Sequence, residues 1–470
     1  VVEDDDGEAQ VVRETFELKA APLGPDTVGL GLAKAKELLA TVQETVVDEQ
    51  VKAALAEQEA CPGCGARHRH KDARTIVLRT LFGTLRLRSP RWHRCRCTPT
   101  TDRTFSALAA LLPERTPPEL AYLETKFAGL VSYGLSARLL GEVLPLGRRL
   151  HATELRRRTH AVAGRLDAEL GPEPGSSMVV GPSAQDLPRP DLPLVVGLDG
   201  GFVHSAHQRS RRDGWFEVIA GKAVPAEGKA RCFGFVQTYD AKPKRRLYEL
   251  LRTQGMAPNQ QVTFLTDGGD DVRELPLYLN PGSEHLLDWF HLTMRLTVLA
   301  QMAKGLPPPA SRGEDGHTED DEGEEDLVDV AHELERVKRF LCHGNVYRAL
   351  ETIGWLGDAV WREHPEPERA KLTKALAVLE RYISANRCSI PSYAERHLAG
   401  ERISTGFIES TVNQVISKRM VKQQAMRWTP KGAHLLVQVR TRVLNDDLAD
   451  DFRRWYPGFA YQPEGGELAA

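Results

Sequence analysis

At 470 residues, 41% hydrophobic and 27% charged, the chain is long enough for two to four domains with cores of their own. No apolar run approaches the roughly 20 residues of a membrane span, and no signal-peptide pattern is present. The net charge of -3 is a sum of opposed blocks: residues 61–103 carry eleven Lys/Arg against two Asp/Glu, residues 402–442 eight against one, and residues 313–329 ten acids and no bases. Two basic blocks in a near-neutral chain suit a polyanion-binding surface, with an ordinary solvated face as the plainer alternative. Seven unevenly spaced cysteines exclude a disulfide framework and favour a reducing compartment.

Residues 1–58 start acidic and then take helical spacing from Gly31 to Gln58, a segment for packing or self-association. Residues 59–104 hold two cysteine pairs, Cys61/Cys64 and Cys95/Cys97, separated by a basic strand pair joined through Phe82 and Gly83. Four thiolates so placed predict a zinc ribbon with one structural Zn²⁺. The second pair is CxC rather than CxxC, which leaves His93 open as a replacement for one thiolate. A unit this small depends on its metal to fold.

Residues 105–170 are predicted helical, with a stripe of Leu120, Leu123, Phe127 and Leu130, and with Ser136 and Thr153 placed to cap later helices. The last helix carries Arg156, Arg157 and Arg158. A helix-turn-helix DNA reader and a helical hairpin with a solvated basic face fit equally well. Residues 171–192, rich in Pro, Gly and Ser, read as a linker.

Residues 193–292 change to strands. Three runs at hairpin spacing (LPLVVGLDGGFVHS, WFEVIAGKAVP, ARCFGFVQTY) precede a helix with Pro243 near its start, a fourth strand QVTFLTDGG, a short helix near VRELPLYL, and a fifth strand-like run, EHLLDWF, leading into a helix. Three antiparallel strands followed by alternating helix and strand give an α/β, ribonuclease-H-like order, in which the first and fourth strands are neighbours. Asp199 and Asp267, each followed by two glycines, then stand side by side. Asp-Gly hairpin turns are the plainer account of both. Residues 293–400 form a helical insertion with an acidic stretch expected to be disordered. Neither that stretch nor 267–271 has the ligand spacing of an EF-hand. Residues 401–448 return to the core with an apolar face of Ile408, Val412, Val415 and Ile416, and 449–470 form a tail. If this late helix packs on the first strand, Glu409 joins the two aspartates.

Two aspartates and a glutamate without cationic neighbours repel one another unless divalent ions neutralise them. Two Mg²⁺ (or Mn²⁺) ions on three carboxylates suit in-line displacement at phosphorus, and so the cutting or joining of nucleic-acid strands.

The stretches VVGLDGGFV, LTDGGDDV, LDWFHLTMRLTVL and above all ESTVNQVISKRMVKQQAMRWTPKGAHLLVQVRTRVLN resemble bacterial insertion-sequence transposases of the ISKra type, the family numbered four, over residues from about 60 to 448. The resemblance implies a ribonuclease-H-like DDE transposase with Asp199, Asp267 and Glu409 as its metal-binding catalytic triad. It also implies a supporting role for Asp288 and His291, whose alternative is an Asp–His hydrogen bond tying the fifth strand to the next helix. Lys418, Arg419, Lys422, Arg427 and Lys431 are expected on phosphates. Trp428 is expected either on an unpaired base or in the core. The implied partners are double-stranded DNA at transposon inverted-repeat ends and at target sites, with further copies of the chain on that DNA, in the bacterial cytoplasm at the nucleoid and without a membrane. A ribonuclease-H-like nuclease without strand transfer and a catalytically silent, domesticated zinc-ribbon DNA-binding protein fit the same residues.

Overall fold

The computed structural model describes two short paired strands at Val2–Glu3 and Ala9–Gln10 and residues 22–97, 102–172, 193–206, 214–257, 259–268, 283–306, 328–364, 366–421 and 426–461. Most of the expected linker, the short helix expected after Asp267, and the acidic run as far as Asp326 lie outside them. The chain divides into two compact units, residues 1–165 with 442–470, and residues 166–441. No helix among the described residues is long and apolar enough to cross a membrane.

In the first unit, helix α1 (Leu32–Gln58) precedes a three-stranded antiparallel sheet of β1 (His70–Thr80), β2 (Gly83–His93) and β3 (Thr104–Ser106) in that order. β1 and β2 form the expected hairpin, with Thr80 opposite Gly83. Val47 of α1 joins Ile76, Leu78, Leu87 and Leu108 in the core of this part. Short α2 (Ala107–Leu111) leads to α3 (Pro118–Leu130), α4 (Tyr133–Val143) and α5 (Ala152–Glu169), and α14 (Leu448–Trp455) returns against α3.

The start of α4 differs from the expectation. Ser132 is its N-cap, its hydroxyl accepting from the Leu135 N–H at 3.3 Å, whereas Ser136 is buried inside the helix and donates back to the Ser132 carbonyl. Gly134 has no backbone conformation that interrupts the helix, and a hydroxyl three residues before a free N–H is a sufficient start signal. Arg158 also departs from a DNA-facing role. Its guanidinium grips the fully buried Glu124 and also reaches Glu154, so it ties α5 to α3.

The second unit is built on a five-stranded mixed sheet. β4 (Leu194–His204), β5 (Trp215–Pro225) and β6 (Arg231–Val236) are antiparallel, α6 (Pro243–Thr253) follows, and β7 (Val262–Thr266) and β8 (Glu284–Leu287) run parallel to β4. The order is β8-β7-β4-β5-β6, so the first and fourth strands of this unit are neighbours. Both faces of β4 are covered, which explains why it reads as a continuous apolar run rather than an alternating one. Leu194, Val196 and Leu198 pack with Leu247 and Leu251 of α6, while Val195 packs with Leu265, Leu286 and Phe407.

Phe407 belongs to α12 (Gly406–Val412), a helix laid over the sheet face that carries the odd-numbered residues of β4. Gly197 makes that approach possible. A Cβ there would stand 2.2 Å from Ile408 Cγ1, and one at Gly201 would stand 2.9 Å from Ile416 Cδ1. The LDGG stretch is therefore not a turn. Asp199, Gly200 and Gly201 lie inside β4, paired with Ala220, Ile219 and Val218. Its glycines clear space for side chains, whereas Gly268 after Asp267 does take the left-handed φ of +86° that a turn demands.

The insertion consists of α7 (Trp289–Lys304), α8 (Val330–Cys342), α9 (Val346–Glu363) and α10 (Glu368–Asn386), with short α11 (Tyr393–Leu398) after them. Leu292, Leu296, Val337, Ile353, Leu356, Leu376 and Ile383 fill a common core that also takes in Leu287 of β8. After α12 the helix widens into a π turn at Asn413–Ser417, and α13 (Pro430–Leu444) packs behind it. Buried Arg440 of α13 donates from Nε to the carbonyls of Gln414 and Val415 at 2.9 and 3.0 Å, fixing that turn. Burial pushes its pKa down to about 10.

Replacing Gly197 by Ala is expected to destabilise the fold by about 1–3 kcal/mol, the usual cost of overpacking a tight core. Denaturant unfolding measures this directly, and an unchanged midpoint would show that α12 does not press on β4.

Candidate active site and metal centres

The register of β4 and β7 runs from Leu194 opposite Val262 to Gly197 opposite Leu265. Two residues further on, the same register brings residue 199 level with residue 267. Residues 195, 197, 199 and 201 share one face of β4, since side chains alternate along a strand, and that face is covered by α12. Leu265 packs with Phe407 as well, and Asp267 follows one residue past the end of β7. Glu409 is an exposed residue of α12, one position past buried Ile408.

The electrostatics agree with the geometry. Burial raises the Asp199 carboxyl above the usual carboxylate range, and the charges of Asp267 and Glu409 push it further the same way. The Gly200 N–H, donating to Asp199 Oδ1 at 2.7 Å, and His291 oppose the rise without cancelling it. Thus Asp199 feels both other acids. The three carboxylates are not drawn together into a single contracted cluster: among the described residues, only two groups bring three or more such ligand atoms within 4.8 Å of one another, and they lie elsewhere.

Asp288 and His291 divide their roles. Asp288 is fully buried and caps α7, its Oδ1 accepting from the N–H groups of Phe290 and Thr405 at 3.0 Å each, while Oδ2 accepts from the Thr405 hydroxyl. All of this holds the start of α12, four residues before Glu409. His291 Nε2 lies 3.6 Å from Asp288 Oδ2 yet is buried without a hydrogen-bond partner among the described residues. Its charge acts on Asp199.

Tyr382 was not singled out by any motif. Its hydroxyl donates to the backbone carbonyl of Asp267 at 2.7 Å, and Arg295 of α7 lies 4.0 Å from its ring centre. Burial pushes its pKa up to about 12, so it stays a donor at any physiological pH. Asn386, one turn on, comes within 2.6 Å of where a Cβ on Gly268 would be. The insertion thus holds the backbone that presents Asp267. A tyrosine on an amphipathic helix carries no sequence mark of such a task.

Carboxylates are hard oxygen donors of the kind Mg²⁺ or Mn²⁺ takes, and Asp199 feels the charge of the other two acids. The second contracted group, Asp167, Asp240 and His434, fits a metal less well. Arg246 already spans it, donating from Nη2 to Asp167 Oδ1 at 2.8 Å and from Nε to Asp240 Oδ2 at 2.9 Å, and Lys242 stands 3.7 Å from Asp167. His434, followed by Arg246 and Lys242, holds the Asp167 carboxyl well below the usual range. A cation already occupies the place an ion would take.

The other contracted group is Cys61, Cys64, Cys95 and Cys97. Sulfurs of Cys61 and Cys97 are 3.3 Å apart and those of Cys64 and Cys95 3.4 Å apart. Thiolates at about 2.3 Å from a tetrahedral Zn²⁺ stand about 3.8 Å from each other, so a small expansion of these pairs separates this arrangement from a zinc site. The N–H of Gly63 and the neighbouring Cys97 pull the Cys61 thiol down to about 6, favouring the thiolate that binds metal. All four members of the group are cysteines, and His93 is not among them.

Of the residues expected on DNA, Arg156, Arg157, Lys418, Arg427 and Lys431 are exposed, and Lys422 lies outside the described residues. Trp428 and Arg419 are each 5% exposed. Trp428 bridges to Ser205 beyond the end of β4, its indole N–H points to the Met420 carbonyl at 3.3 Å, and Arg419 lies 5.5 Å from its ring. Neither presents a free face to a nucleic acid, and Trp428 is a core residue here.

No known family and no curated protein matches the chain by sequence. Among solved structures it is similar to the Drosophila P element transposase strand transfer complex, at 11% identity and a TM-score of 0.22, over 74% of this chain and 82% of that one. At that score the likeness carries no argument.

Purified protein is expected to hold one zinc per chain, lost together with the stability of the first unit when Cys61 is replaced by Ser. Elemental analysis that finds no zinc would remove the ribbon. For the acidic site the sign follows from the raised pKa of Asp199: a carboxyl whose folded pKa exceeds its unfolded value supports folding when protonated, and that support is lost as pH rises through the folded pKa. The melting temperature of Asp199→Asn relative to the parent, measured without divalent ions, is therefore expected to increase from pH 4 to pH 7.5, and added Mg²⁺ is expected to shrink the difference. A difference independent of pH would mean that Asp199 bears no like-charge burden.

Proposed function

We propose that the chain is a DNA transposase that binds terminal inverted repeats and carries out metal-dependent strand cleavage and strand transfer of an insertion sequence on a ribonuclease-H-like core. The observation that supports it best is the charge effect on Asp199, inside β4, of Asp267, one residue past the end of the neighbouring parallel strand β7, and of Glu409 on α12. The strand order β8-β7-β4-β5-β6 is the one expected of such a core. The motif resemblance, strongest over residues 409–445, points the same way.

Asp199, Asp267 and Glu409 would hold two divalent ions. When bound, the ions supply activation of a water or 3′-hydroxyl and charge stabilisation of the leaving oxygen. The chain's own contribution is placement. β4 and β7 set the two aspartates, Tyr382 fixes the Asp267 backbone, and the Asp288–Thr405 clasp fixes the start of α12 and with it Glu409. His291 Nε2, buried 3.6 Å from Asp288 Oδ2 without a hydrogen-bond partner among the described residues, would have capacity for a bound water. Lys418, Arg427 and Lys431 follow Glu409 in sequence and are free to meet phosphates, as are Arg156 and Arg157 in the first unit. Binding should accordingly weaken steeply with salt.

Asp199→Asn, Asp267→Asn and Glu409→Gln are each expected to lower Mg²⁺-dependent cleavage and strand transfer by on the order of 10²–10³-fold or more, the scale for losing one electrostatic stabiliser, with DNA binding largely kept. The substrate is DNA bearing the short inverted repeats that bracket the coding region. A variant that still cuts at the parental rate removes its residue from the site, and cleavage without joining in the parent would leave a nuclease. Tyr382→Phe is expected to lower the rate by about 10-fold, as the loss of a residue that orients a metal ligand does, and to raise the Mg²⁺ concentration needed. A rate loss with unchanged Mg²⁺ dependence would contradict its positioning of Asp267.

A further inference from the structure

The first unit contains a cavity of about 420 Å³ that the proposed chemistry does not use. Its walls come from the end of β1, the segment before α3, the middle of α5, and α14 with the residue after it. Five guanidiniums line it: Arg79, Arg115, Arg157, Arg158 and Arg165. The opposite wall is aromatic, formed by Phe452, Trp455 and Tyr456.

Charge counting leaves a surplus. Glu114 lines the cavity, and Glu124 and Glu154 lie just behind it on Arg158 and Arg79, so five positive charges meet three negative ones. Glu154 is also shared with Arg148, and Glu114 accepts the Tyr456 hydroxyl at 2.6 Å, which leaves less carboxylate for the cavity arginines. Arg115 Nη1 is a buried donor without a hydrogen-bond partner among the described residues, and Arg79 Nε meets the Glu154 carboxylate only at 3.5 Å, without a formed hydrogen bond. Burial and the surrounding guanidiniums hold Arg79 below the usual arginine range, a strain that a bound anion would relieve. Two surplus charges and unspent N–H groups suit one phosphate dianion, which Arg binds through paired N–H donors.

The aromatic wall calls for more than phosphate. Trp455 and Tyr456 are only partly buried, and Arg165 lies 4.3 Å from the Trp455 ring centre and 5.3 Å from that of Tyr456. A planar group beside phosphate would stack there as bases stack on aromatic and guanidinium planes. The volume is in the range of small-ligand sites and admits one nucleotide.

We infer that this cavity is a binding site for a single nucleotide unit, its phosphate held by Arg79, Arg115 and Arg157 and its base stacked on Trp455. The inference does not depend on strand transfer or on the acidic site. A free mononucleotide and the 5′-phosphorylated end of a DNA strand share this chemistry.

The test is equilibrium binding to the full-length, zinc-loaded chain, read by tryptophan fluorescence and calorimetry. The probes are a deoxynucleoside 5′-monophosphate, a 5′-phosphorylated trinucleotide, its 5′-hydroxyl counterpart, a 5′-phosphorylated trinucleotide with an abasic first position, and inorganic phosphate. One of the two phosphorylated, base-bearing probes is expected to bind at least about 10-fold more tightly than the abasic, 5′-hydroxyl and inorganic probes. Preference for the trinucleotide identifies a strand end, and preference for the monophosphate a free nucleotide. Arg115→Gln with Arg157→Gln, and separately Trp455→Leu, should each weaken that binding by about 10-fold. Melting temperature and zinc content confirm folding, and Trp455→Phe should restore most of the affinity if the first replacement perturbs the fold. Equal binding of the abasic and base-bearing probes, or affinity unchanged in both variants, would overturn the inference.

Discussion

The second unit depends on one packing constraint, the descent of α12 onto β4. A helix and a sheet normally keep side chains between them, and here the strand gives up its own at Gly197 and Gly201 so that Ile408 and Ile416 can enter. The same helix carries Glu409, whose charge, like that of Asp267, acts on Asp199. Burial of Asp199 under this helix is what raises its carboxyl, and the neighbouring acids add to the effect. The close approach therefore stabilises the fold through apolar contact and destabilises it through charge, in one place. Divalent ions are the natural way to reconcile the two.

Around that point the molecule supplies rigidity from three sides. Arg440 fixes the π turn after α12, Asp288 and Thr405 fix the start of α12, and Tyr382 fixes the backbone of Asp267. Two of these supports come from residues far away in the chain. The helical insertion is thus part of the scaffold of the acidic edge as well as a domain with its own core. Arg440 and Tyr382 do this by donating to backbone carbonyls and Asp288 by accepting from the Thr405 N–H, and such fixed hydrogen bonds suit a site whose groups must stay placed.

Much of the architecture was legible because it follows from periodicity. The hairpin of the ribbon, the three antiparallel strands and the parallel return of β7 beside β4 all follow from runs of strand-formers and their spacing. The cysteine cluster was legible from four residues, and the choice between His93 and a fourth thiolate needed coordinates. The LDGG stretch misled, since Asp-Gly-Gly has the composition of a turn, and only the helix packed above it shows that these glycines serve clearance. Its echo at Asp267 does turn, at Gly268. Arg419 and Arg158 misled in another way. Each lies in a basic stretch, and nothing in a linear sequence separates a guanidinium that meets solvent from one that holds a buried carboxylate or an indole. Tyr382 and the arginine-lined cavity were invisible for the same reason, being assembled from segments hundreds of residues apart.

The central claim is that the acidic edge of the mixed sheet is where divalent ions bind. Anomalous diffraction from crystals of the full chain soaked with Mn²⁺ tests it most directly. The account predicts manganese peaks among Asp199, Asp267 and Glu409, and none at Asp167, Asp240 and His434, where Arg246 holds the ground. Manganese bound at the latter group, with the acidic edge empty at saturating concentration, would contradict it.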